Sequence, residues 1–347
     1  GGPVFYSGPP GYTESASSYG QQVFPGGREP FMGAAAVTAI IPTYKPGEEL
    51  RLLLEALRSQ KLPEGLDVLL VDSTGGETLA TPLAKEFSAR LECVRPEDFD
   101  HGTTRRKAAM DFCNSPYVAF FTQDARPLSD DVIALLLEAV RSREKVAGVY
   151  ARQVPKPTAT ARTKSEVLSW FSPGERTVWQ EPFGEKGERI LPWDHFRRAR
   201  FDNVASLICR EAFEEIPLES AYFGEDLIWG ERVLRAGYRI AYEPRALVEH
   251  SHDRSAWYEF KRTVNCHATL SELFELRTVP TPFAAFRGFF SALNEAAKQT
   301  WREAASDRRW GELMGLPGRE AARAFGQYVG GFLGTYGLGE RFHFRGV

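Results

Sequence analysis

The chain has 347 residues, 43% of them hydrophobic and 26% charged, which is enough for about two domains and a sizeable core. Its 43 Lys and Arg against 46 Asp and Glu leave a net charge of −3, which argues against a nucleic-acid partner. Four scattered cysteines without a CxxC pair exclude a disulfide scaffold and a thiolate zinc site, and no apolar run reaches the ~18 residues of a membrane span.

Residues 1–33 hold 8 Gly, 5 Pro and 4 Ser, a composition that buries too little to offset its ordering entropy, so a disordered arm is expected. No basic stretch followed by an apolar one opens the chain, so no secretory signal is expected, and the cysteine usage fits a cytoplasmic location. From Val37 strand and helix patterns alternate. Val37–Ile41 reads as a strand, and Leu50, Leu53, Leu54 and Leu57 form a helical stripe behind it. A strand at 67–71, a weaker helix at 77–88 and a strand at 91–94 follow. A helix at 103–113 and a strand at 117–121 come next, and Ser129-Asp130-Asp131 caps a Leu-rich helix before a strand at 146–151. Such alternation predicts an α/β, doubly wound sheet with parallel crossovers. Residues 152–200, rich in Pro, Trp and charge, read as an irregular insertion. Strands at 205–210 and 239–242 flank a helix at 226–236. From about 255 the pattern is helical, with Gly and Pro breaks near 281, 288, 317 and 330.

Ligands of doubly wound sheets bind beyond the carboxyl ends of the strands. Those ends carry Pro42, Thr43 and Tyr44, then Asp72, then His101, Gly102 and Arg105, then Gln123 and Asp124, then Arg152 and Gln153. A G-x-G-x-x-G turn and a phosphate loop are both absent, and Pro42-Thr-Tyr-Lys-Pro-Gly47 is a poor loop for nucleotidyl transfer.

Strand-Pro-Thr-Tyr44, Val71-Asp72-Ser73 and a strand ending in Gln123-Asp124 resemble the nucleotide-binding half of family 2 glycosyltransferases, which are inverting enzymes of GT-A fold. Gly224-Glu225-Asp226-Leu-Ile-Trp229-Gly-Glu-Arg232 resembles that family's acceptor-side motif. Phe99-Asp-His-Gly-Thr-Thr-Arg105, Phe201-Asp-Asn203 and Glu249-His-Ser-His-Asp253 narrow the likeness to the bacterial rhamnosyltransferase branch. The resemblance covers about residues 37–265. It implies a GT-A-like mixed sheet flanked by helices over 34–265, divided near 151, and a mainly helical C-terminal region over 266–347.

It also implies dTDP-β-L-rhamnose as donor and a cell-surface polysaccharide or lipid-linked glycan as acceptor, with a UDP-sugar transferase and a non-catalytic glycan-binding relative as alternatives. Asp226 is then the general base and Glu225 its neighbour, though an acidic pair also suits a helix N-terminus. Mg²⁺ or Mn²⁺ would sit on Asp124 and His250. The family's Asp-x-Asp is here Thr122-Gln123-Asp124, so its first acid is missing. Pro42, Thr43, Tyr44 and Asp72 would grip the base, while His101-Gly102 would let an anion approach the backbone and Arg105 would face the diphosphate. Arg152, Gln153, Trp193, Asp202, Asn203, Trp229 and His252 would line the sugar or acceptor pocket. If extended, His250 and His252 point to opposite sides, so only His250 is expected on the ion. Aromatic residues interleaved with Arg and Lys after residue 288 suggest a cap or a face resting peripherally on the inner side of a membrane.

Overall fold

The computed structural model describes residues 35–184, 190–307 and 311–345, so the arm expected over 1–33 and Trp310 lie outside the described residues. The first half runs β1 (Val37–Thr43), α1 (Glu48–Arg58), β2 (Leu66–Asp72), α2 (Ala80–Glu86), β3 (Arg90–Cys93), α3 (His101–Phe112), β4 (Tyr117–Phe121), β5 (Arg126–Pro127), α4 (Val132–Arg141) and β6 (Val146–Val154). The region expected to be irregular holds α5 (Ala161–Trp170), β7 (Val178–Gln180) and α6 (Pro192–Ala199). Then come β8 (Ala205–Cys209), α7 (Arg210–Glu215), α8 (Glu225–Arg235), β9 (Arg239–Glu249), α9 (Ala256–Phe274), α10 (Pro282–Asp307), α11 (Gly311–Thr335) and α12 (Gly339–Phe342).

The strands form one sheet in the order β3-β2-β1-β4-β8-β6-β9-β5, with β7 also paired to β9. Strands β1 to β4 are parallel, as crossovers require. The sheet as a whole is mixed, because β8 inserts antiparallel between β4 and β6. Alternation along β1 supplies both faces. Val37, Ala39 and Ile41 pack with the leucine stripe of α1, while Ile40 packs with Ala108 and Ala109 of α3 on the other side. Between β6 and β9 the register jumps at Ala151/Arg152, where Pro244, which has no N–H for the ladder, and its neighbours bulge out. Beyond the bulge Gln153 lies opposite Val248 and Val154 opposite Glu249, which delivers His250 to the end of β6.

Of the helix breaks expected near 281, 288, 317 and 330, the structure shows the first only. Helix α10 runs through Gly288, and α11 contains Pro317 and Gly330. Gly330 faces the Val264 carbonyl of α9 so closely that a Cβ would collide with it, so this glycine serves helix–helix contact rather than a break.

Candidate active site

The ends of β1 and β2 are tied together by Asp72, which is 2% exposed. Its Oδ1 accepts from Thr43 Oγ1 at 2.7 Å and Thr74 Oγ1 at 2.9 Å, and its Oδ2 accepts from the Thr74 amide at 3.3 Å. With about four lone-pair sites on a carboxylate, one remains on Oδ2. Beside this brace Gln123 clamps Tyr44 in both directions: its Oε1 accepts from the Tyr44 amide at 2.9 Å and its Nε2 donates to the Tyr44 carbonyl at 3.3 Å. The Tyr44 ring is left 53% exposed. Thr122, which stands where the family has its first acid, has a buried hydroxyl without a hydrogen-bond partner.

Three side chains converge just past β4 and β9. Ligand atoms of Asp124, His250 and His252 all lie within 4.8 Å of one another. Strand β9 stops at Glu249, so strand alternation no longer governs 250–252 and both imidazoles turn the same way. His252 therefore belongs with Asp124 and not in the sugar pocket. His250 Nδ1 must donate to Gln153 Oε1 (2.8 Å), because that oxygen can only accept. Burial pushes His250 down to about 4 against the opposing charge of Asp124, so the ring is neutral and its Nε2 carries a lone pair. That lone pair faces Asp124 Oδ1 at 3.6 Å. Asp124 Oδ2 is buried without a well-formed hydrogen bond, with His252 Nε2 at 3.1 Å and Lys156 Nζ at 3.8 Å. Burial raises the Asp124 carboxyl, but the hydrogen-bonding contact from His252 and the positive charge of Lys156 outweigh it and hold it well below the usual range. The His250 lone pair turned toward an ionised carboxylate is unfavourable unless a cation lies between them. An Asp-His-His donor set fits a divalent transition ion such as Mn²⁺ better than Mg²⁺.

The acidic pair opens α8. Burial, followed by the charge of Glu225, pushes Asp226 up to about 6, while amide donors from Asn203 (3.2 Å) and Leu227 (2.8 Å) oppose the shift. Asp202 lies close by and is pushed to about 7 by burial and by Asp226. Its Oδ1 accepts from the Val204 amide at 2.8 Å and its Oδ2 from Gln153 Nε2 at 2.9 Å. Gln153 thus links the cation-type cluster to the carboxylate beside Asp226. Asp202 and Gln153 act in this thread rather than as free pocket walls. Asn203 is 2% exposed; its Oδ1 accepts from Ser206 and its Nδ2 is buried without a partner.

Several expected placements change. Arg105 is 3% exposed and ion-paired with Glu225 at 2.8 Å, so it steadies the acidic pair and does not turn toward a diphosphate. The missing side chain of Gly102 makes room for the Glu219 carbonyl, not for an anion. Trp229 is 1% exposed and donates from Nε1 to the Ile216 carbonyl at 2.7 Å, which makes it core. Trp193 is exposed on α6 and leans on Phe196. His101 is exposed, with its ring edge-on to Phe99. Arg152 is half-buried, and its Nε has no partner.

Two arginines not picked out from the sequence also carry charge near these groups. Arg254 is held below its usual value by burial and by the charge of Arg262, and both Arg254 and Lys156 act on His250. Arg262 acts on Asp202 and on Cys266. Two guanidinium groups held within reach of each other favour an anion between them. Arg254 directly follows the His-Ser-His-Asp string, the one local signal that could have found it.

The sequence profile of glycosyl transferase family 2 matches residues 38–216, more than half of the chain. The chain is 27% identical over 229 residues to the O-antigen chain rhamnosyltransferase RfbN of Salmonella typhimurium, covering 65% of this chain and 69% of that protein. It is 27% identical over 233 residues to the O-antigen chain rhamnosyltransferase WbaN of Salmonella anatum, with the same 65% and 69% coverage. Among solved structures, the mannosyltransferase PcManGT of Pyrobaculum calidifontis, in complex with GDP-Man and Mn²⁺, matches 88% of both chains with a TM-score of 0.54 at 17% identity.

Proposed function

The chain belongs to glycosyl transferase family 2 and is a glycosyltransferase of GT-A-like fold, and we propose that it moves L-rhamnose from dTDP-β-L-rhamnose to a glycan hydroxyl with inversion. The observation that carries the mechanism is the hydrogen-bonded thread from His250 through Gln153 to Asp202, which sets the Asp124 cluster beside the raised carboxyl of Asp226. The choice of rhamnose is supported by what the two Salmonella relatives are named for.

Asp226 takes the proton from the acceptor hydroxyl as that oxygen attacks the anomeric carbon. Its raised pKa brings it nearer to working pH than an ordinary aspartate, which favours a general base. Arg105 and the α8 N-terminus hold Glu225 in place beside Asp226, so that its charge sustains the shift. Asp124, His250 and His252 would hold a divalent cation, which when bound supplies positive charge to the leaving diphosphate. Arg254 and Arg262 add fixed positive charge near it. Tyr44 offers a ring face to the pyrimidine, and the remaining lone pair of Asp72 Oδ2 offers an acceptor to its ring N–H.

The acceptor is proposed to be a growing cell-surface or lipid-linked glycan, met on the cytoplasmic side of the membrane. Phe283, Phe286 and Phe290 stand exposed along α10, the pattern of a face that rests on a bilayer surface. Among the described residues no helix is long and apolar enough to cross one. Calorimetric titration with dTDP-rhamnose, dTDP-glucose, UDP-glucose and GDP-mannose tests the donor. We expect dTDP-rhamnose to bind tightest and GDP-mannose poorly. Preference for GDP-mannose or for a glucose donor overturns the rhamnosyl assignment.

A further inference from the structure

A cavity of about 550 Å³ lies alongside the start of α8, within the ~300–1,000 Å³ of ordinary small-molecule sites. None of the residues described above as donor or cation ligands lines it. One wall is Tyr222, Phe223 and Ile228, which bracket the acidic pair in sequence. A second is Thr269 and Glu272 of α9, the helix whose Cys266, one turn earlier, feels the charge of Asp226. The third is the C-terminal tail, through Glu340 and His343. Everything but Asp100 therefore lies beyond the span matched by the family profile, which ends at 216.

The tail is fixed in place. Asn265, 1% exposed, donates to the Phe344 carbonyl at 2.8 Å and accepts from the Phe344 amide at 2.9 Å. Gly339 donates to Glu272 Oε1 at 3.0 Å, and a Cβ there would press on the Glu272 carboxylate and the Tyr222 hydroxyl. The cavity is thus built by defined contacts rather than left over between loops. The Tyr222 and His343 rings stack at 5.4 Å and 26°, which presents an aromatic wall.

The chemistry of the lining selects a class of ligand. Three carboxylates face it (Asp100, Glu272 and Glu340), and no Lys or Arg lines it among the described residues. Asp100 and Glu272 each accept from protein donors, Ser220 Oγ at 3.1 Å and Tyr222 Oη at 2.7 Å, and each keeps lone pairs for further donors. Carboxylates that accept from hydroxyls, beside aromatic faces, suit a polyhydroxylated ring. They repel an anion. We propose that this cavity is the subsite for a neutral hexose residue of the acceptor, completed by the C-terminal region, and that the anionic diphosphate of a lipid-linked acceptor stays outside it. The inference rests on the acceptor being a glycan, as argued above.

Ligand-observed NMR on the full chain with dTDP present tests this, with methyl α-L-rhamnoside, methyl α-D-mannoside and methyl α-D-galactoside as neutral probes and methyl α-D-glucuronide as the anion. At least one neutral glycoside should bind at millimolar concentration, and the glucuronide should bind about tenfold more weakly or less, the cost of a like charge near three carboxylates. Ile228→Trp, which fills the cavity, should abolish glycoside binding and leave the dTDP affinity unchanged. Glu272→Gln, a milder change, should weaken the neutral glycoside and narrow the gap to the glucuronide. Absence of glycoside binding to the wild type overturns the proposal, as does wild-type binding in the folded Glu272→Gln protein or equal binding of the glucuronide. Loss of dTDP binding by the wild type would instead strike at the donor assignment, so the two failures are told apart.

Discussion

Replacing Asp202 by Asn should weaken cation binding at a site it does not touch, and a second substitution should restore it. In the native arrangement Asp202 accepts twice, from the Val204 amide at 2.8 Å and from Gln153 Nε2 at 2.9 Å. An asparagine in its place has one oxygen. The buried Val204 amide claims it, because an unpaired backbone donor is costly. The introduced NH₂ then meets the Gln153 NH₂, donor against donor. Gln153 relieves this by turning its amide over, which presents Nε2 to His250 Nδ1 where Oε1 had been, 2.8 Å away. His250 must now accept at Nδ1 and carry its proton on Nε2, the atom that faces Asp124. A metal-ligating nitrogen has been capped by a proton. Changes of this kind beyond the ligands typically cost 10–100-fold in metal affinity, about 1.4–2.7 kcal/mol.

The double variant Asp202→Asn/Gln153→Glu moves the acceptor-only group from one position to the other. The introduced carboxylate accepts from the introduced amide NH₂ and from His250 Nδ1, the native tautomer returns, and net charge equals that of the wild type. Mn²⁺ affinity, read by electron paramagnetic resonance of free Mn²⁺ in the presence of dTDP, should fall in the single variant and recover to within about threefold in the double. Imidazole ¹⁵N shifts of the metal-free proteins report the tautomer directly. Wild-type Mn²⁺ affinity in a folded single variant, or failure of a folded double variant to recover, would refute the reasoning.

Asp226→Asn should keep dTDP affinity and lose transfer by about 10²–10⁴-fold, and near-normal turnover would remove Asp226 as the base. In the wild type kcat/KM should rise as pH rises through about 6, the value to which burial and Glu225 push Asp226. The same shift has a stability consequence of definite sign. A carboxyl whose folded pKa is raised binds more protons folded than unfolded, so between about pH 4 and 7 stability falls as pH rises. Asp226→Asn should therefore raise Tm at pH 8, with the gain vanishing near pH 4. Arg105→Ala should leave Glu225 without its partner and destabilise by about 3–5 kcal/mol, with part of the loss returned in Arg105→Ala/Glu225→Ala. A diphosphate ligand would instead show itself in dTDP affinity without that rescue. Arg262→Ala should weaken dTDP by about tenfold, the worth of a charge-assisted hydrogen bond, and leave thymidine unaffected.

What the sequence shows and hides follows from how far apart the partners lie. The leucine stripe of α1 and the alternation of β1 are local periodicities, and both appear in the structure where the pattern puts them. Strand direction leaves no such mark. Ala205–Cys209 reads as apolar whichever way it runs, so the antiparallel insertion of β8 between β4 and β6 is settled only by the chain that leads into it. Site residues follow the same logic. Thr43, Tyr44, Asp72 and Gln123 sit at strand ends, and the rule for doubly wound sheets finds them together without any contact being known. Arg105 sits near a strand end too, yet its charge is spent on Glu225, 120 residues away, a pairing no local pattern encodes. His252 was misplaced for a different reason. Alternation predicts opposite faces only while the strand continues, and β9 ends one residue before His250. Trp229 lies inside an acceptor-side motif and one turn on from Glu225, on the same side of α8, yet its ring is buried in the core, where Phe201 packs on it at 4.7 Å and the Ile216 carbonyl takes its N–H. A motif marks the segment that carries chemistry. Which of its side chains meet substrate depends on how deeply each is buried and on the distant partner that each finds first. That is why we propose that the anionic donor meets Arg254 and Arg262, the first of which feels the charge of the second, rather than the arginine already matched with a carboxylate.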